Sequence, residues 1–440
     1  MAEGKTYFCI DMKSFYASVE CAERGLDPFE TCLAVVDASR GKNAICLAIS
    51  PKMKSLGIKN RCRISDIPPN VKYIAAMPRM ALYIDYAADI YGVYLKYVAP
   101  QDIHVYSIDE SFLDVTRYLE LCRTDAVSFA KFLMQEIERD CHIPSTAGVG
   151  TNLYLAKIAL DITAKHEPDH IGVLTEETYC ETLWDHRPIT DFWMISGGTA
   201  KRLERYGVYD MHGITQLPEK LLYSIFGINA ELLIDHAWGI EPTLMSDVKA
   251  YRSASHSLST GQVLPRPYRY DEALVVFEEM AESLAADLVD RGLRAASVVW
   301  WVSFDPASLE ACPDYTGPVC MDFYGRLHPV HTGGTVRFPA PTSSVREIRG
   351  AAADAFRRLV HPGLLARRIG LCAGEVRSDA AAAQLDLFTD YAAREQDLHL
   401  QRTMLSLRKK FDRNILFKGM NLLEGATAME RNRQIGGHRA

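Results

Sequence analysis

Asp11 closes an apolar run, Tyr7-Phe8-Cys9-Ile10, and much further along the chain Asp109 and Glu110 lie between two more runs of the same kind. Carboxylates gathered at strand ends repel one another and raise each other's proton affinity, so a fold keeps them together when a cation neutralises them. Magnesium favours hard oxygen ligands, usually one or two carboxylates plus substrate phosphates. Two such ions about 3.5–4 Å apart clamp the attacking and leaving oxygens of an in-line phosphoryl transfer. An isolated Asp-Glu pair at a turn is more often a solvated loop, so the weight of the reading rests on Asp11 joining it.

The elements around these acids can be read from periodicity. Residues 7–12 form a strand, and Phe15, Tyr16 and Val19 begin a helix in the next turn. Residues 103–108 and 112–116 are strand-like on either side of Asp109-Glu110-Ser111, which places the acids at the bend of an antiparallel pair. Residues 32–37 and 45–50 read as two short strands about a hairpin turn at Ser39 to Asn43. Phe129, Leu133 and Ile137 recur four apart on an amphipathic helix. From 186 to 240 the pattern is helical with glycine turns, and near 241–255 periodicity fades as in a linker. Residues 271–290 put Leu274, Phe277, Ala281, Leu284 and Leu288 on one helical face, and residues 298–304 are strand-like, so a second α+β domain is expected, followed by a tail without strand pattern.

A chain of 440 residues is long enough for about three or four modules. The composition, 48% hydrophobic and 24% charged, is that of a folded globular protein. The eleven cysteines include no C-x-x-C pair, which argues against a zinc ribbon and fits reduced thiols. With neither a signal peptide nor a membrane-length apolar run in view, a soluble, cytoplasmic protein with no membrane partner is expected. The net charge of −7 is unusual for a nucleic-acid binder. It is unevenly distributed, however: residues 401–440 carry nine Arg and Lys against three Asp and Glu. Phosphate binding would have to rely on local basic surface.

Taken together, Cys9 to Glu20 (CIDMKSFYASVE), Ser107 to Val115 (SIDESFLDV) and Ala147 to Ala159 (AGVGTNLYLAKIA) resemble the three palm motifs of Y-family, translesion DNA polymerases. Gln384 to Phe388 (QLDLF) and Met429 to Arg439 (MERNRQIGGHR) are similar to the UmuC-like branch of Gram-positive bacteria. The resemblance covers nearly the whole chain. It implies a multidomain α+β, right-hand polymerase with a ferredoxin-like palm over 1–13 and 80–172 and small fingers over 14–79. A helix-hairpin-helix thumb over 173–240, a linker over 241–254, an α+β little finger over 255–378 and a tail over 379–440 complete it.

The same resemblance implies that Asp11, Asp109 and Glu110 are catalytic and, with the Met12 carbonyl, hold two Mg2+ ions. It places the incoming deoxynucleoside triphosphate against Phe15, Tyr16, Ser50, Lys54 and Lys165. Many relatives have Tyr and Arg where Pro51 and Lys54 stand here, and Lys165 lies one residue further from Lys157 than in many of them. Tyr16 matches the steric gate, an aromatic ring that leaves no room for the 2′-hydroxyl distinguishing RNA from DNA precursors. Trp193 to Gly198 replaces the usual G-I-G start of the thumb. Gln384, Leu385, Leu387 and Phe388 match the peptide that docks on the bacterial sliding clamp. The implied activity is primer extension on damaged template DNA, in DNA repair and SOS mutagenesis. Two other readings remain: a non-catalytic DNA-binding relative that recruits another polymerase, and a nucleotidyl cyclase-like palm enzyme.

Overall fold

The nearly unbroken apolar run of residues 7–12 suits a strand with neighbours on both sides and cover on both faces. In the computed structural model, which describes residues 4–252, 257–322, 325–379 and 391–439, that run is β1 (Tyr7–Met12), buried almost throughout. It is followed by α1 (Phe15–Ala22), a small sheet of β2 (Leu33–Val35), β3 (Ala48–Ile49) and β4 (Ile74–Ala76), and α2 (Pro51–Ser55). Then come α3 (Met80–Leu95), β5 (Ile103–Val105), β6 (Glu110–Asp114), α4 (Thr116–Cys122), α5 (Ala126–Cys141), β7 (Ser145–Gly150), α6 (Leu153–Asp161) and β8 (Ile171–Leu174). The main sheet runs β5-β6-β1-β7-β8, with only β7 and β8 parallel. The expected antiparallel pair around the acids is present, but β5 is shorter than the sequence suggests and β6 begins two residues earlier, so Glu110 belongs to the strand.

Alternation along β1 sends Phe8 to one face, where its ring lies 6.0 Å from Phe129 of α5. Tyr7 and Cys9 point to the other face and share a buried cluster with Phe112, Leu153, Ala156 and Leu160. Helix α6 covers this second face at unusually short range. A Cβ on Gly148 would lie 2.1 Å from the Ala156 carbonyl oxygen, and one on Gly150 would lie 2.2 Å from the Ala156 nitrogen. Only glycine permits this approach. Asn152 then caps α6 by accepting from the Leu155 N–H at 2.8 Å.

The insertion between α1 and α3 has its own small core, including Val36, Cys46, Ile49 and Met53. β2 and β3 pair as expected, but a wider loop than a tight turn joins them. The base of the insertion is closed by Glu20 of α1, whose side chain is fully buried. It accepts from Arg79 (2.9 and 2.8 Å), from the Tyr83 hydroxyl (2.8 Å) and from Arg24.

After β8 come five short helices, α7 (Glu176–Leu183), α8 (Gly197–Glu204), α9 (Met211–Thr215), α10 (Glu219–Phe226) and α11 (Asn229–Ala237). They share a core that includes Tyr179, Phe192, Leu203, Met211 and Leu222. The expected linker is partly folded. Residues 245–250 form α12 (Met245–Ala250), because Met245 inserts beside Tyr7, Cys9 and Phe112. One anchoring methionine in a polar stretch leaves no periodic signal.

The chain divides into two units, the first ending at Arg252 and the second beginning at Ser253. The second contains β9 (Leu258–Tyr268), α13 (Tyr270–Asp290), β10 (Leu293–Phe304), α14 (Ser308–Ala311), β11 (Val319–Met321), β12 (Leu327–Pro329), β13 (Thr332–Thr342), α15 (Val345–Leu359) and β14 (Ala366–Gly374). Its main sheet, in the order β13-β10-β14-β9, is antiparallel, and Phe277, Trp300 and Phe356 meet in its core. The tail is not a solvated appendage. Helix α16 (Tyr391–Lys410) bonds Arg394 to Glu347 at 2.7 Å and Asp397 to Ser344 at 2.7 Å. Beyond it, Asn421 and the Thr427 and Ala428 N–H groups donate to the buried Glu279 at 2.7, 2.8 and 3.0 Å. A short hairpin at residues 434–439 follows, where no strand was expected. Among the described residues, no helix is long and apolar enough to cross a membrane.

Burial by itself would raise the Glu20 carboxyl, but the hydrogen bonds from Arg79, Arg24 and Tyr83 outweigh it and hold the pKa below its ordinary 4.5. A carboxylate with a depressed folded pKa adds stability above its unfolded pKa and loses it as pH falls through the folded value. Glu20→Gln should therefore cost about 3 kcal/mol at pH 7, and the gap to the parent should narrow below pH 4. Urea denaturation at pH 7 and pH 3 measures both values; an equal loss at the two pH values would remove the charge from the account.

Candidate active site

The sheet register puts the acids side by side. Asp11 of β1 stands directly opposite Glu110 of β6, and opposed residues on antiparallel strands project from the same face. Asp109 precedes β6 in the turn, its carbonyl accepting from the Met12 N–H at 2.9 Å. The Tyr106 and Ser107 N–H groups close that turn onto the Glu110 carbonyl at 2.9 and 3.1 Å, and the Ser107 hydroxyl donates to the Asp109 carboxylate at 2.6 Å.

Glu110 is 8% exposed and is held from below. Lys157 of α6 reaches it at 2.9 Å and also pairs with Asp161 at 3.0 Å, while the Cys9 thiol donates to it at 3.0 Å. Burial pushes the Asp11 carboxyl up to about 7, Asp109 and Glu110 push in the same direction, and Lys157 only partly opposes them. The site thus has an excess of negative charge in a partly dry place. Among the described residues, no three His, Cys, Asp or Glu side chains already converge tightly enough to hold an ion unaided. The reason is visible: Glu110 is turned to Lys157 and Asp109 to Ser107. The hard oxygen donors and the charge excess suit a divalent cation that completes its shell with substrate phosphates and water.

A positive flank faces the acids. Burial lowers the Lys54 pKa although its side chain remains open to solvent; Asp11 and Asp109 favour its charge and Lys165 disfavours it. Burial lowers Lys13 to about 8, with Lys54 adding to the effect and Asp11 opposing it. Lys13 and Lys54, from separate segments, are thus each electrostatically coupled to Asp11, and Lys165 is coupled in the same way to Lys54. Ser50 is placed differently from expectation. Its hydroxyl is fully buried, donates to the Thr31 carbonyl at 2.6 Å and accepts from the Leu33 N–H at 3.1 Å, so it fixes α2 and through it Lys54.

Phe15 is buried, and Tyr16 is half-buried on a stacked contact with Tyr83 (4.6 Å, 20°). Burial raises the Tyr16 pKa, Asp109 adds to this and Arg61 opposes it. Ser14, just before α1, adopts a left-handed backbone (φ 51°). Met194 does the same (φ 69°) in the loop that lacks the expected glycine. The sequence reading missed Lys13, Arg61, Lys157 and Asp161. A signal existed for Lys157, a lysine within the apolar helical run LYLAKIAL, since such a charge needs a buried partner. Gln384, Leu385, Leu387 and Phe388 lie outside the described residues.

Comparison with known proteins bears on this geometry. Residues 10–161 match the model of the impB/mucB/samB family, and residues 255–387 match the model of that family's C-terminal domain. The chain belongs to the Y-family of DNA polymerases. It is 28% identical over 439 residues to a putative UV-damage repair protein, UvrX, of Bacillus subtilis, covering 99% of this chain and 98% of that one. It is also 28% identical to the protein named DNA polymerase IV 2 of the same organism, with both chains covered fully. A solved Y-family polymerase chimera shares the fold, with a TM-score of 0.59 at 19% identity over 84% of this chain and 99% of that one. This Y-family member is a DNA-directed DNA polymerase of the translesion class, dependent on metal and acting on DNA and deoxynucleoside triphosphates.

Proposed function

We propose that Asp11, Asp109 and Glu110, with the Met12 carbonyl, hold two Mg2+ ions at which a primer is extended opposite damaged template. The observation that carries this reading is the register pairing of Asp11 with Glu110, together with the raised proton affinity of Asp11 beside them. Bound ions would lower the pKa of the primer 3′ hydroxyl and neutralise charge on the departing pyrophosphate. The remaining work falls to the chain itself. Lys54, Lys165 and Lys13 receive the triphosphate as point charges. Ser50 holds α2 in place, while Phe15 supports Tyr16 and Tyr16 closes the space beneath the sugar. The intact set of acids favours an enzyme over a non-catalytic relative.

The helices of residues 173–240 act as the thumb, and the second unit, as little finger, holds the duplex backbone without reading sequence. The apolar side chains of Gln384-Leu385-Asp386-Leu387-Phe388 fit a partner pocket on the bacterial sliding clamp, which would raise the polymerase's effective concentration at primer ends.

Asp109→Ala and Glu110→Ala should each lower single-nucleotide insertion at least about a thousandfold while leaving primer-template affinity within about twofold, because both acids act on the reaction and not on the duplex. Rapid-quench insertion and a DNA-binding titration read the two quantities; a variant within tenfold of the parent rate would refute the assignment.

Tyr16→Ala should raise the efficiency of ribonucleotide relative to deoxyribonucleotide insertion at least about tenfold. An unmoved ratio would make Tyr16 a packing residue.

Changing Leu387 and Phe388 to Ala should abolish stimulation by loaded clamp and leave clamp-free extension as it was. Equal stimulation of variant and parent would remove the clamp from the list of partners.

A further inference from the structure

Trp193 lies in the loop before α8, well separated in sequence from the acids, yet its indole N–H donates to the Tyr106 hydroxyl at 3.1 Å. The two rings meet edge to face with centroids 5.8 Å apart. Phe112 completes the group, 5.6 Å from Tyr106 and 6.1 Å from Trp193. Tyr106 and Phe112 flank the turn that carries Asp109 and Glu110, and the Tyr106 N–H is itself bonded to the Glu110 carbonyl. The indole therefore bears on both arms of the catalytic turn.

The other side of the indole is also fixed. Trp193 lies parallel to the His236 ring at 6.4 Å, and His236 stacks on Tyr154 at 3.8 Å. Tyr154 stands on α6 one turn before Lys157, the lysine that holds the Glu110 carboxylate. His236 cannot swing away, because its Nε2 meets Glu241 at 3.1 Å and its carbonyl accepts from the Tyr179 hydroxyl at 3.0 Å. Trp193 thus joins the backbone support of Glu110 to its side-chain support through aromatic contacts that are stiff and directional.

We infer that Trp193 and Tyr106 form a positioning strut by which the helical region of residues 176–237 holds the Asp109-Glu110 turn in the geometry that ion binding and insertion require. Trp193 and Tyr106 act here as positioning residues, through the turn, and the strut rests on the assignment of Asp109 and Glu110 proposed above. Catalytic groups must be held to within a fraction of an ångström, so loosening a supporting contact lowers the rate without weakening DNA binding.

The test compares Tyr106→Phe, Trp193→Phe, Trp193→Ala and the double variant Tyr106→Phe/Trp193→Phe with the parent, and with Asp109→Ala as reference. Single-turnover insertion yields the maximal rate, the deoxynucleotide KM and the Mg2+ concentration for half-maximal rate. Primer-template affinity and the melting temperature are measured alongside. Tyr106→Phe, which removes one hydroxyl and keeps the ring, should lower the maximal rate about three- to tenfold and raise the Mg2+ requirement, with DNA affinity within about twofold. Trp193→Phe should match it, and the double variant should lose no more than either single one, since both break the same bond. Trp193→Ala should lose about thirtyfold or more. If Trp193→Ala fails to fold, Tyr106→Phe decides. Parental rates and Mg2+ requirement in Tyr106→Phe, beside an inactive Asp109→Ala, would overturn the strut alone. An active Asp109→Ala would overturn the site assignment on which the strut rests.

Discussion

Asp11 and Glu110 lie at the same end of two neighbouring interior strands with Asp109 in the adjoining turn, and burial and mutual repulsion push the Asp11 pKa up to about 7. Such a gathering is costly in an isolated protein and becomes favourable only when positive charge is brought to it. Much of the first unit can be understood as supplying that charge from two directions. Lys157 comes from beneath and is built into the fold. Lys13 and Lys54 bring charge from other segments, each electrostatically coupled to Asp11, with Lys165 coupled to Lys54. This division fits a site that is held ready by its scaffold and completed by its substrate.

The scaffold pays for this readiness in backbone. Lys157 can reach Glu110 because α6 lies against β7, and α6 can lie there because positions 148 and 150 carry no side chain. Lys54 is placed by the capping serine of a five-residue helix, in an insertion whose base is closed by the buried Glu20 cluster. Trp193 repeats the pattern from the helical region, bearing on the turn through Tyr106 and Phe112. In each case a glycine-permitted, polar or aromatic contact away from the acids bears on the position of a charged group.

Local signals were faithful wherever one periodicity governed a segment. The strand of residues 7–12 and the long helix through Phe277 and Leu284 appear as read, because alternation and the 3.6-residue repeat report burial directly, while the expected bend ends at Asp109 with Glu110 already in β6. They failed where a few residues did the anchoring. Met245 turns an expected linker into a helix, and Glu279 draws in the expected tail by accepting from Asn421, Thr427 and Ala428. One buried methionine or glutamate leaves no period to read.

The sequence by itself supplied residue types and local spacing, three acids in two motifs, an aromatic residue after the first, and the lysines, because these are what a motif records. Only the tertiary structure decided which groups lie together. That Asp11 faces Glu110 is a matter of strand register, and that Lys157 sits beneath both depends on how closely α6 packs on the sheet. That Ser50 serves its helix cap, with its hydroxyl buried, depends on the neighbouring β2 strand. Lys13 and Trp193 acquire their surroundings from segments far away in the chain. Such relations are set by long-range packing, whose free energy is shared among many residues and written at no single position of the sequence.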